Sequence, residues 1–167
     1  MLPTAIFFLG ALREPLQAEP PAMKVTLNQS SGPSGSAVRG KVILTFEPGL
    51  HAYQNPPSQD YQIPVTVSLD GATGPFLLNY PVGEPVAVGG ESEASFTYSG
   101  VVEIPFMLKA PAKPGKHTLT VKVRYQQCTD SMCFPPKTIT APVAFTTTKG
   151  SAVAGTANWA RAMAGWK

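Results

Sequence analysis

Cys128 and Cys133 are the chain's two cysteines, with four residues between them. They stand in Tyr125-Gln126-Gln127-Cys128-Thr129-Asp130-Ser131-Met132-Cys133-Phe134-Pro135-Pro136-Lys137, which reads as a strand running into a tight turn. If the two limbs pair as a hairpin, directly opposed Cα atoms lie about 4.5–5.5 Å apart, within the span of a disulfide. A pair that opens and closes there exchanges two electrons with another dithiol.

Three readings of the pair stay open on the residues alone. The first is this redox-active couple. The second is a local structural bridge in a structural or binding sandwich; a closed loop of six residues contributes only about 2 kcal/mol in the chain-entropy model, against about 3 for fifteen residues. A chain of 167 residues buries enough surface not to need a staple between near neighbours. The third is a copper or other soft-metal module, drawing on Cys128, Cys133, Met132 and His51.

Neighbouring residues set the expected behaviour of the sulfurs. If Leu119, Val121, Val123 and Tyr125 face a core, unbroken alternation turns Lys122, Arg124, Gln126 and Cys128 outward. Cys128 is then expected to be reachable, with Arg124 on its face favouring thiolate and Asp130 in the loop opposing it. Phe134-Pro135-Pro136 supplies an apolar, rigid rim. Proline lacks the backbone donor a ladder needs, so this rim suits transient docking of another protein at the sulfurs rather than strand addition.

The elements that must hold this turn are strands. Apolar residues recur with period two in Val38, Val42, Leu44 and Phe46; in Val65, Val67 and Leu69; in Val102, Ile104, Phe106 and Leu108; in Leu119, Val121, Val123 and Tyr125; and in Ile139, Ala141, Val143 and Phe145. Turn signals bound the runs: Glu47-Pro48-Gly49, Asp70-Gly71, Gly89-Gly90, Ser99-Gly100 and Lys113-Pro114-Gly115. Seven to nine short strands at this spacing predict an all-β, antiparallel β-sandwich. Its likeness to an immunoglobulin domain is architectural, because the cysteines are too close in sequence to bridge two sheets and both tryptophans lie near the C-terminus.

Composition removes several function classes. The 13 basic residues are scattered singly and the net charge is only +3, so the footprint of a nucleic-acid binder is missing. Hydrophobic residues at 43% against charged ones at 14% exclude a charge-rich disordered tail. No nucleophile–base pair or paired carboxylates for hydrolysis stand out, and Gly89-Gly90 opens no phosphate-cradling helix.

The domain is expected over 23–148. Residues 1–22 read as a signal peptide or an N-terminal segment, with an apolar stretch from Ala5 to Leu12 too short to span a bilayer. In the tail, 149–167, Trp159, Met163 and Trp166 have helical spacing, predicting a short amphipathic helix that packs on the domain or touches a membrane or partner.

The two halves of the cysteine stretch, Tyr125-Gln126-Gln127-Cys128-Thr129-Asp130 and Cys133-Phe134-Pro135-Pro136-Lys137, resemble the cysteine motif of the N-terminal domain of the thiol:disulfide interchange protein DsbD family. Upstream, Phe46-Glu47-Pro48-Gly49-Leu50-His51-Ala52-Tyr53-Gln54-Asn55-Pro56-Pro57, leading to Tyr61-Gln62-Ile63-Pro64, resembles that family's turn with aromatics beside the cysteines. The resemblance covers roughly residues 24–147.

It implies an immunoglobulin-like domain in the periplasm or another extracytoplasmic space, with no cofactor and no metal. Such a domain relays reducing equivalents from a thioredoxin-like donor, fed by a membrane-embedded partner, to oxidised protein substrates such as disulfide isomerases and cytochrome c maturation factors, which is protein-disulfide reductase chemistry. By position Cys133 would form the mixed disulfide and Cys128 would resolve it, with His51, Tyr53, Tyr125, Asp130, Phe134 and Pro135 lining the site. The family's aromatic-tipped cap loop corresponds to Val88-Gly89-Gly90-Glu91-Ser92-Glu93-Ala94, whose tip has no aromatic residue, leaving shielding weaker or supplied by Phe96 or Tyr98.

Overall fold

Where one face of a strand is buried, the period-two pattern turns directly into structure. A computed structural model of the chain describes residues 18–72, 74–87, 93–150 and Arg161. The expected signal segment up to Gln17, the cap-loop residues 88–92 and the tail residues Trp159, Met163 and Trp166 lie outside the described residues. Among the described residues there are twelve strands: β1 (Ala22–Leu27), β2 (Ser31–Pro33), β3 (Ala37–Thr45), β4 (His51–Tyr53), β5 (Thr66–Asp70), β6 (Phe76–Leu78), β7 (Glu84–Val86), β8 (Ser95–Ser99), β9 (Val101–Lys109), β10 (Gly115–Tyr125), β11 (Gln127–Cys128) and β12 (Lys137–Thr148).

They form three four-stranded sheets, ordered β1-β3-β9-β6, β2-β12-β10-β5 and β11-β4-β8-β7. All pairings are antiparallel except that of β12 with β2. The first two sheets share one core: Val38, Val42, Leu44, Ile104 and Phe106 from one, and Val67, Leu119, Val121, Val123 and Phe145 from the other. These are the residues the alternation assigns inward, and the result is an all-β, immunoglobulin-like sandwich. The strands outnumber the seven to nine expected because β2, β4, β6, β7 and β11 have two or three residues each, too few to show a period.

The third sheet grows from the ends of sandwich strands. β3 leaves its sheet at Phe46, whose N–H donates to Gly100 O (2.8 Å). It turns through Glu47-Pro48-Gly49 and re-enters as β4. Gly49 has φ +80°, a conformation glycine adopts without the steric cost other residues incur. β8 passes into β9 through Gly100, and β10 passes into β11 through Gln126. Strands that change sheet at a bend are a common way to make a sandwich corner. This corner carries the cysteines.

Candidate functional site

β11 holds the first cysteine against β4: Gln127 pairs with Ala52 and Cys128 with His51. The chain then turns tightly. Thr129 N–H donates to Met132 O (2.8 Å), and Thr129 Oγ1 accepts from the N–H groups of Met132 (3.2 Å) and Ser131 (3.3 Å). On the return, Phe134 N–H donates to Gln127 O (2.8 Å) and Gln126 Nε2 donates to Phe134 O (3.0 Å). Two limbs pinned in this way put Cys128 opposite Cys133 as an antiparallel bridge. Their sulfurs are bonded at 1.96 Å, with Cα atoms 4.0 Å apart.

The two cysteines differ in exposure. Cys128 is 0% exposed, whereas Cys133 is exposed. This corrects the alternation argument, which turned Cys128 outward beside Arg124. Alternation holds as far as Tyr125, which is 1% exposed. At Gln126 the chain leaves the sandwich sheet, so the parity that puts Arg124 in solvent does not carry over to Cys128. Arg124 stays on β10, paired with Thr138 and Thr66.

Around the bridge, Tyr53 is buried in a small cluster with Cys128 and Val86, and its hydroxyl lies 3.9 Å from Cys133 Sγ. His51 is 4% exposed, and its Nε2 has no hydrogen-bond partner. Burial holds the imidazole pKa below its ordinary value, while the Asp130 carboxylate partly offsets this. Asp130 sits exposed in the turn beside Met132, which is 48% exposed. Phe134 is buried, and Pro135 and Pro136 are exposed next to Cys133.

Tyr125 belongs to the sandwich core rather than to the Tyr53–Cys128 cluster. Its hydroxyl is buried without a partner, and burial pushes the phenol pKa up. Tyr98 is buried in the same core and donates to Pro81 O (2.7 Å). Phe96 shares its face of β8 by alternation. Among the described residues, therefore, the face of β8 that meets Tyr53 carries Thr97, not an aromatic.

Two supporting residues escaped the sequence reading. Gln62 is 5% exposed; its Oε1 accepts from the N–H groups of Ser58 (3.0 Å) and Gln59 (3.1 Å), and its Nε2 donates to Ser95 Oγ (2.6 Å). It ties the segment after β4 to β8. Val86 closes the cluster over Tyr53 and Cys128. A Gln in a polar stretch and a Val on a three-residue strand carry no periodic signal that would mark them.

Among the described residues no three His, Cys, Asp or Glu side chains group as metal ligands, and no helix is long and apolar enough to cross a membrane. What the geometry offers is a disulfide between an exposed residue, Cys133, and a fully buried one, Cys128.

Residues 14–144 match the family model described as thiol:disulfide interchange protein DsbD, N-terminal. Among solved structures, the N-terminal periplasmic domain of ScsB from Proteus mirabilis superposes with a TM-score of 0.57 at 14% identity, over 88% of this chain and 54% of that one. The chain thus spans about half the length of that domain, and the likeness shows a shared fold. The reduced DsbD N-terminal domain of Neisseria meningitidis aligns with a TM-score of 0.47 at 15% identity, over 74% of this chain and 85% of that one. No curated protein matches the sequence.

Proposed function

The chain belongs to the family of thiol:disulfide interchange protein DsbD N-terminal domains, and from that premise we propose that it relays reducing equivalents through the Cys128/Cys133 pair. Family membership and the bonded pair support thiol–disulfide exchange as the chemistry. The observation that carries the relay reading is the unequal exposure of the two cysteines, Cys128 at 0% and Cys133 an exposed residue.

The incoming reductant is a dithiol protein of the thioredoxin-like class. Its thiolate attacks Cys133 Sγ, the Cys133–Cys128 bond breaks, and Cys128 leaves with the electron pair. The partner's second thiolate then attacks its own sulfur in the mixed disulfide and releases Cys133, so the partner is oxidised by two electrons and the pair is reduced. In the second half, Cys133 attacks the disulfide of an oxidised protein substrate. Cys128 then attacks Cys133 Sγ and expels the substrate as a dithiol. The exposed Pro135-Pro136 rim and Met132 offer the partner an apolar ledge beside the reacting sulfur, while Tyr53 and the buried Phe134 wall it.

A disulfide cycle of this kind belongs outside the cytoplasm. The ScsB domain that shares the fold is periplasmic, and we place this chain in an extracytoplasmic compartment as well. Disulfide isomerases and cytochrome c maturation factors are the substrate classes to try first.

Mixed-disulfide trapping tests the reading. Cys128→Ala, incubated with an oxidised thioredoxin-like protein, should accumulate a covalent complex through Cys133, and Cys133→Ala should not. If neither variant traps a partner and the native bridge has a potential below about −300 mV, the range of inert structural disulfides, the relay reading fails.

A further inference from the structure

His51 is the one buried ionisable group at this site that the exchange steps above leave without a task. It stands directly opposite Cys128 across the β4–β11 pair, and directly opposed residues of an antiparallel pair project to the same face with Cβ atoms about 4.5–5.5 Å apart. Its Nε2 is buried and has no partner. A buried polar nitrogen left unsatisfied is a cost of folding that calls for a physical reason. In the oxidised protein the sulfur of the residue opposite is tied up in a disulfide and has no proton to offer. Reduction changes that, because the Cys128 thiol appears on the same face.

We propose that His51 is the proton acceptor for Cys128: Nε2 takes the Cys128 thiol proton as that sulfur attacks the mixed disulfide, and gives it back when Cys128 leaves. The proposal rests on the relay reading and assigns the Cys128 proton, which that reading leaves open.

The step balances. The Cys128 S–H proton passes to Nε2, and the Cys128 thiolate forms the bond to Cys133 Sγ. The bond from Cys133 to the substrate sulfur breaks, and the substrate sulfur leaves with the electron pair and takes a proton from water. The imidazolium then releases its proton to solvent. In the reverse direction a protonated His51 delivers its proton to Cys128 as it departs, so no bare thiolate is left in a pocket that disfavours charge.

The surroundings suit the role. Burial keeps His51 below its ordinary pKa, hence neutral and able to accept at pH 7, and Asp130 opposes that shift, favouring the imidazolium once it forms. From β11 the facing titratable group is Cys128 itself, and from the turn it is Asp130. β8 places the uncharged Ser99 opposite His51. On β4 the same face carries Tyr53, and Glu84 lies beyond it across β8 on β7. No lysine or arginine stands on these pairing positions.

A two-phase reaction with the disulfide probe 5,5′-dithiobis(2-nitrobenzoate) tests this. With the reduced protein the first thionitrobenzoate release reports attack by Cys133, and the second reports Cys128 resolving the mixed disulfide. In His51→Gln the second phase should slow by at least about tenfold at pH 7, the low end of general-base contributions. Its pH profile should collapse to one thiol titration near or above about 8.5, and the first phase should stay within about twofold.

If the second phase and its pH profile are unchanged in His51→Gln while both phases persist, His51 is not the acceptor and the relay reading stands. If the wild-type protein gives no exchange phase at all, the relay reading fails and takes this proposal with it. Should His51→Gln not fold, the wild-type imidazole resonances decide. They should titrate differently in oxidised and reduced protein if His51 shares a proton with Cys128, and identical titrations overturn the proposal.

Discussion

Phe106 and Cys128 are both fully buried, yet the two regions around them are built on opposite terms. Phe106 lies between the sandwich sheets, its ring centroid 5.4 Å from that of Phe76, among residues that alternate inward along strands of nine to twelve residues. Cys128 lies on a two-residue strand with Tyr53 and Val86 as its cluster. Next to it are buried polar atoms without partners, His51 Nε2 and Gln127 Nε2. The sandwich draws its stability from apolar area. The corner contributes little of that, and it sets two unsatisfied polar atoms around one cysteine where the much larger sandwich holds two in all, Tyr125 Oη and Thr147 Oγ1, a concentration expected where chemistry rather than packing sets the residue types.

The difference is open to measurement. The largest expected effect is in the sandwich: Phe106→Ala should lower unfolding free energy by about 3–5 kcal/mol, read from denaturant midpoints at unchanged m-value, while a properly folded remainder still exchanges disulfides. Removing the bridge with Cys128→Ala and Cys133→Ala together should cost about 2 kcal/mol, the loop-entropy value for six residues, and abolish exchange. A loss from the double variant as large as that from Phe106→Ala would break the comparison, because the bridge would then be supporting the core.

A smaller effect separates the regions by pH. Burial lowers the folded-state pKa of His51 from its ordinary 6.5, so below about pH 6.5 the unfolded chain binds a proton that the folded one resists. The contribution is complete above that pH and is lost as the pH falls through it toward the lowered folded value. The oxidised wild-type protein should therefore lose stability on acidification through this window, and His51→Gln should flatten that part of the profile. An identical acid limb in both proteins would show that the corner is not where protons destabilise the fold.

The same contrast explains what could be read from the sequence. Val38, Val42, Leu44 and Leu119, Val121, Val123 announce themselves because a half-buried strand imposes period two on any residue types that fill it, so the sandwich was legible. The cysteine turn was legible too, since the closely spaced cysteines and the proline-rich return limb are local features. The exposure of the two sulfurs was not. It depends on a change of sheet at Gln126, one residue without glycine or proline to mark it, and the partner strand β4 is three residues long. A single break reverses parity, and the inward sulfur became Cys128. Gln62 and Val86 were hidden for a related reason: their roles come from contacts across the chain fold, not from a pattern along it.

The smallest effect belongs to Tyr53, whose hydroxyl lies 3.9 Å from Cys133 Sγ while its ring packs with Cys128 and Val86. Tyr53→Phe keeps the ring and the apolar cluster, so stability should change by less than about 1 kcal/mol. The hydroxyl can donate to a Cys133 thiolate, an interaction that is weak at this distance with the bonded sulfur and stronger once the sulfur is charged. Its loss should slow the first, Cys133-dependent phase of probe reaction by a few-fold, leaving the second phase unaltered because Cys128 has its own proton acceptor. A slowing of both phases to the same degree would mean that Tyr53 positions the whole turn. The division of labour between the two sulfurs, one exposed beside a hydroxyl and one buried beside an imidazole, would then not be separable residue by residue.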